Sequence, residues 1–130
     1  MPNVVFFSFK ENDRGVVLTI KGRAVNARYP ALNFNVQDLL KRWDTEDPAV
    51  IKQAITKNIK GTSRTIVFVG ESTYASYWVP QEVQMTLDAG KPVYAIRLSG
   101  TNGATPKCLS NRGITVHAWS EAKLQELATK

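Results

Sequence analysis

Glu82 is the residue on which chemistry in this sequence is most readily built. It follows Trp78 in the run Trp78-Val79-Pro80-Gln81-Glu82, and an i,i+4 spacing puts both side chains on nearly the same face of a helix. That run opens a helix expected over residues 77–89, so the carboxylate is expected in its first turn. There the free N–H groups and the helix dipole favour the ionised form. An ionised carboxylate with no proton-donor partner suits stabilisation of a cationic transition state better than general acid catalysis. Acidic residues also occupy first turns simply to complement the dipole, and spacing alone leaves both readings open.

The other candidates each carry a structural alternative. Trp78 can stack on a ligand ring and shield the carboxylate, or anchor the helix on a sheet. Ser72, Thr73 and Ser76 precede the helix and either cap it or bind ligand hydroxyls. Ser8 and Asp13 follow an apolar run and either bind polar ligand groups or satisfy loop backbone. Trp43 stands in a polar loop, as a lid or as a cover for the next helix. His117 has no second ligand or nucleophile spaced near it and reads as structural. Cys108, the one cysteine, reads as a small buried filler in a reducing compartment.

The elements that must position these residues follow from pattern. Residues 4–9 form a buried apolar strand, broken by Lys10-Glu11-Asn12-Asp13. Residues 14–28 carry Val17, Ile20 and Ala24 at helical spacing, although Gly15 and Gly22 cost roughly 1 kcal/mol each relative to Ala. Tyr29-Pro30 ends that helix, and residues 32–36 alternate as an edge strand does. Asp47 caps a helix with Pro48 at its first position and Ile51, Ile55 and Ile59 on one stripe. Residues 65–69 are a buried strand, rich in β-branched residues, ending at Gly70. Val79, Val83 and Leu87 turn the next helix toward the sheet and Gly90 ends it. Residues 93–96 are a further buried strand, 98–112 a loop and 114–119 an alternating strand. Ser120 caps a last helix carrying Leu124 and Leu127.

Strands alternating with helices imply a parallel sheet with helices on both faces. The expected architecture is an α/β, flavodoxin-like, three-layer fold with a five-stranded parallel sheet of order 2-1-3-4-5. A ligand in such a fold belongs beyond the carboxyl ends of strands one and three. The crevice there is expected to be lined by residues 7–13 and 70–82.

Composition narrows the function. With 130 residues and 43% hydrophobic residues, residues 1–130 are read as one domain with a core of ordinary size. The start has no basic segment before its short apolar run, and no stretch reaches membrane-spanning length, so a cytoplasmic protein with no membrane partner is expected. The formal net charge of +6 invites a nucleic-acid reading. Lys and Arg are scattered, however, without interleaved aromatics or zinc-ligand spacing, so no nucleic-acid partner is expected. No P-loop or Gly-x-Gly-x-x-Gly follows the first strand. Val69-Gly70-Glu71 stands where a receiver domain would carry its phosphoacceptor Asp, and the flavin phosphate loop is absent.

Val5 to Phe9 with Asp13 after it, Trp43-Asp44, Thr65 to Gly70, and above all Thr73, Ser76, Trp78-Val79, Glu82 and Gly90-Lys91-Pro92-Val93 together resemble TIR and TIR-like domains. The opening and the Trp-Val-x-x-Glu segment are especially similar to the TIR subunit of the Thoeris antiphage systems. The resemblance implies that Glu82 is the catalytic residue of an NAD-cleaving enzyme that makes a cyclic ADP-ribose-type signal. NAD is then substrate, with no cofactor and no metal. The resemblance also implies TIR–TIR assembly or a homo-oligomer, a separate effector reached through the diffusible nucleotide, and a phage-derived trigger. The substrate-binding residues expected on this reading are Phe7, Ser8, Phe9, Asp13, Trp43, Ser72, Ser76 and Trp78. Two alternatives stay open: a non-catalytic TIR-like adaptor acting by self-association, and a nucleoside deoxyribosyltransferase-like enzyme with Glu82 as nucleophile.

Overall fold

A strand with large apolar side chains on both of its faces must be covered on both, and the first strand here is one. In the computed structural model, which describes residues 4–24, 35–36 and 47–130, β1 (Val4–Ser8) lies inside a five-stranded sheet. Its neighbours are β2 (Asn35–Val36) and β3 (Arg64–Val69), followed outward by β4 (Val93–Arg97) and β5 (Val116–His117), in the order β2-β1-β3-β4-β5. All the pairings are parallel. The helices between them are α1 (Arg14–Ala24), α2 (Pro48–Lys60), α3 (Trp78–Asp88), the short α4 (Lys107–Ser110) and α5 (Glu121–Thr129).

Alternation of side chains along the strands divides the core in two. On one face Val5, Phe7, Ile66, Phe68 and Ile96 pack with Val17 and Ile20 of α1 and Leu124 and Leu127 of α5. On the other, Phe6 meets Ile51, Ile55 and Ile59 of α2, while Val67, Val69, Val93 and Ala95 meet Val79 and Val83 of α3. The stripe expected on α2 is therefore its buried face, and the Asp47 carboxylate accepts the Ala49 N–H at 3.0 Å as its cap.

Two expectations change. Residues 114–119 do not form a strand throughout: only Val116 and His117 find partners, Ala95 and Ile96. Ile114 and Val116 still pack on the α3 side, so the alternation records burial rather than pairing. Residues 98–112 contain α4, which buries Cys108 and Leu109; a single turn is too short for periodicity to reveal. The expectations for residues 25–34 and for the loop holding Trp43 lie outside the described residues.

Candidate functional site

Ser8 ends β1 two residues after Phe6, so both side chains point to the face covered by α2 and α3. The Ser8 hydroxyl there donates to Glu82 Oε1 at 3.0 Å. Both residues have no exposed surface. Glu82 is the fifth residue of α3, which begins at Trp78, so it stands in the second turn and not, as expected, in the first. The helix dipole is weak beyond the first turn, and the local support of this carboxylate includes a hydroxyl from the neighbouring strand. One turn further on, the Thr86 hydroxyl lies 2.6 Å from that of Thr65 on β3. Helix α3 thus keeps a buried polar rail against β1 and β3.

The remaining candidates separate into core and crevice. Phe7 points to the opposite face and meets the Phe68 ring edge-on, centroids 4.6 Å apart, so it is a core residue and does not join Glu82. Phe9 is buried in the same core and also borders a cleft of about 180 Å³ shared with Lys10, Glu11, Ser76, Tyr77 and Trp78. Trp78 packs partly against the α2 stripe, so its anchoring and cleft-lining roles coexist. The Ser76 hydroxyl accepts the Val79 N–H at 3.1 Å, holding the start of α3. Thr73 is a turn residue, its hydroxyl oxygen accepting the Gly70 N–H at 2.7 Å. Trp43 lies outside the described residues.

Asp13 faces the end of β3. A side chain at Gly70 would collide with its carboxylate, so a glycine there permits the approach. Asp13 Oδ2 is buried with no hydrogen-bond partner among the described residues. Burial pushes the carboxyl above its usual range, helped by the charge of Glu71 and opposed by Lys10 and Thr73. On the far side of β3, the Asn102 N–H donates to Glu71 Oε1 at 2.8 Å and Arg97 donates to the Gly103 carbonyl at 2.8 Å. A side chain on Gly103 would strike the Gly70 and Glu71 carbonyls. This loop closes the crevice beside β4, and the 180 Å³ cleft lies on the β1 side.

Lys10, Asn12 and Tyr77 fall within the stretches 7–13 and 70–82 expected to line the crevice, but none was singled out as a candidate; Lys10 and Tyr77 line the cleft and Asn12 stands beside it. The Lys10 ammonium and the Asn12 amide both donate to Ser72 Oγ, at 3.2 and 3.0 Å, and Tyr77 is 69% exposed. Their placement beyond the strand end was the available signal, since no spacing links residues so far apart. Among the described residues no cluster of His, Cys, Asp and Glu could hold a metal ion, and no helix is long and apolar enough to cross a membrane.

No curated protein matches the sequence. Among solved structures, the TIR domain of the Toll-related receptor TRR-2 of Hydra magnipapillata is 17% identical, with a TM-score of 0.63, covering 95% of this chain and 90% of that one. The RPS4 and RRS1 TIR domain heterodimer gives 17% identity and a TM-score of 0.56, covering 98% of this chain and 92% of that one. These likenesses establish a TIR-type fold. The family described as Thoeris protein ThsB, TIR-like domain, matches residues 6–103, a span that holds the end of β1 from Phe6, the whole of α3, Ser8 and Glu82. The chain belongs to the ThsB TIR-like domain family.

Proposed function

We propose that this protein cleaves NAD at the bond between ribose C1′ and the nicotinamide nitrogen, with Glu82 as the catalytic carboxylate, and passes a cyclic ADP-ribose-type product to a separate effector in antiphage defence. The observation that carries the reading is the burial of Glu82 against Ser8 at the carboxyl end of β1, where an α/β sheet keeps its ligands.

The chemistry asks for one carboxylate. When the C1′–N1 bond breaks, its electron pair goes to the pyridinium nitrogen, so nicotinamide leaves neutral and needs no proton. An ordinary O-glycoside would need a second carboxyl group as acid. Glu82 accepts hydrogen bonds from the ribose hydroxyls and stabilises the oxocarbenium-like C1′. Water, or a nucleophilic atom of the adenosine half of the same molecule, then bonds to C1′ and loses its proton. Hydrolysis gives ADP-ribose and intramolecular capture gives the cyclic product. Ser8 orients the carboxylate, and Phe9, Ser76 and Trp78 line the cleft next to it in the chain, from which the substrate would enter. Since Glu82 has no exposed surface, the substrate reaches it only after the groups above it part.

A TIR fold also suits self-association, and the solved RPS4 and RRS1 pair is a heterodimer of such domains. Assembly of copies of this chain, in a cytoplasmic setting and under a phage-derived trigger, is part of the same proposal. The test is NAD turnover at protein concentrations that allow assembly, resolved by liquid chromatography and mass spectrometry beside Glu82→Gln. Glu82-dependent nicotinamide release supports the enzyme. Self-association with intact NAD would favour the adaptor, and base exchange on deoxynucleosides would favour the deoxyribosyltransferase.

A further inference from the structure

The rim of the cleft holds donors arranged around one point. Lys10 Nζ and Asn12 Nδ2 lie 3.2 and 3.0 Å from Ser72 Oγ. With two donors on its oxygen, the Ser72 hydroxyl keeps its own hydrogen for a further acceptor. Three donors, one of them cationic, thus converge from the β1 exit and from the turn after β3, and Lys10 also lines the cleft. A phosphate oxygen satisfies such a set better than water does, because hydrogen bonds between ionised partners are shorter and stronger than neutral ones.

We propose that Lys10, Asn12 and Ser72 hold the diphosphate of a dinucleotide or of its ADP-ribose product. The assignment rests on the NAD reading for the identity of the ligand, but not for the anion site itself. Its position fits the substrate: Ser8, which contacts Glu82, precedes Lys10 by two extended residues, about 7 Å of chain. One ribose unit separates the scissile carbon from the nearest phosphorus. The acidic groups nearby are Glu11, Asp13 and Glu71. Glu11 is exposed and free to turn to solvent, Glu71 is held by the Asn102 N–H, and the burial of Asp13 disfavours its charge.

The experiment is calorimetric titration of the Glu82→Gln protein with ADP-ribose, which lacks the scissile bond, and with adenosine as a phosphate-free probe. Each is repeated after adding Lys10→Met, Lys10→Arg or Ser72→Ala. Lys10→Met is expected to weaken ADP-ribose at least tenfold, Lys10→Arg to restore most of that loss, and Ser72→Ala to weaken it severalfold, all without change for adenosine. Unchanged ADP-ribose affinity in Lys10→Met, or an equal loss for adenosine, would overturn the assignment. With Glu82 intact, Lys10→Met should raise KM for NAD about tenfold while kcat stays within twofold. Lys10-dependent ADP-ribose binding without any nicotinamide release would sustain the diphosphate site and remove the enzyme reading. Release with KM unmoved by Lys10→Met would do the reverse.

Discussion

Arg64 and Glu82 are both ionisable residues buried against the sheet, and they sit at its opposite ends. Arg64 opens β3 at the amino end, 7% exposed. It donates through Nη1 to the carbonyls of Leu127 and Lys130 at 3.1 and 2.8 Å, and through Nε to Ser63 Oγ at 3.2 Å. A cation on the carbonyl end of a helix is a structural solution in itself, satisfying groups the helix leaves unpaired. Glu82 lies at the carboxyl end of β1, near a cleft, and its bond from Ser8 joins two different elements. Burial of an ionisable group therefore does not by itself separate a structural role from the functional one proposed for Glu82; the end of the sheet and the chemistry of the partners are what differ.

Glu82→Gln breaks the comparison most sharply. It keeps shape and an acceptor for Ser8, so the melting temperature should stay within a few degrees, while nicotinamide release should fall by about 100- to 1,000-fold, the usual cost of losing one well-placed electrostatic group. Arg64→Met is expected to do the opposite. Urea melts should show a loss of about 2 kcal/mol, the scale of hydrogen bonds to a charged group, with nicotinamide release per folded molecule unchanged. Ser8→Ala removes one donor from a buried carboxylate and should cost about 1 kcal/mol of stability in the same melts, and about tenfold in turnover.

The smallest effect belongs to Asp13. Burial raises its pKa in the folded state above the unfolded value, so the folded protein binds the proton more tightly than the unfolded chain does. The stability linked to that proton is present below the unfolded pKa and is lost as pH rises through the folded one. Asp13→Asn should accordingly raise the melting temperature at neutral pH, with the gain vanishing in acid below the ordinary carboxylate range. A gain that persists or grows on acidification would overturn that account.

Much of the fold was legible because it rests on strong local signals. The β-branched run 65–69, the Asp47-Pro48 helix start and the isoleucine stripe of α2 agree with the elements that form. The site was legible only in part. Trp78 and Glu82 stand out by spacing, but their partners do not, because Ser8 is 74 positions from Glu82 and only the parallel sheet brings them together. Phe7 read as a crevice residue since it sits next to Ser8, yet alternation along β1 turns it to the far core. Lys10 and Asn12 fell inside the expected crevice stretch 7–13 but were not singled out, because their common acceptor, Ser72, belongs to a turn about 60 residues away.

The most direct test places the two buried ionisable residues side by side: nicotinamide release from NAD by the wild-type protein, Glu82→Gln and Arg64→Met, each at concentrations that allow assembly and at a temperature where all three are folded. The account predicts product from the wild type and from Arg64→Met, and release lowered about 100- to 1,000-fold in Glu82→Gln. Equal release by Glu82→Gln, or none from the wild type across the whole concentration range, would contradict it.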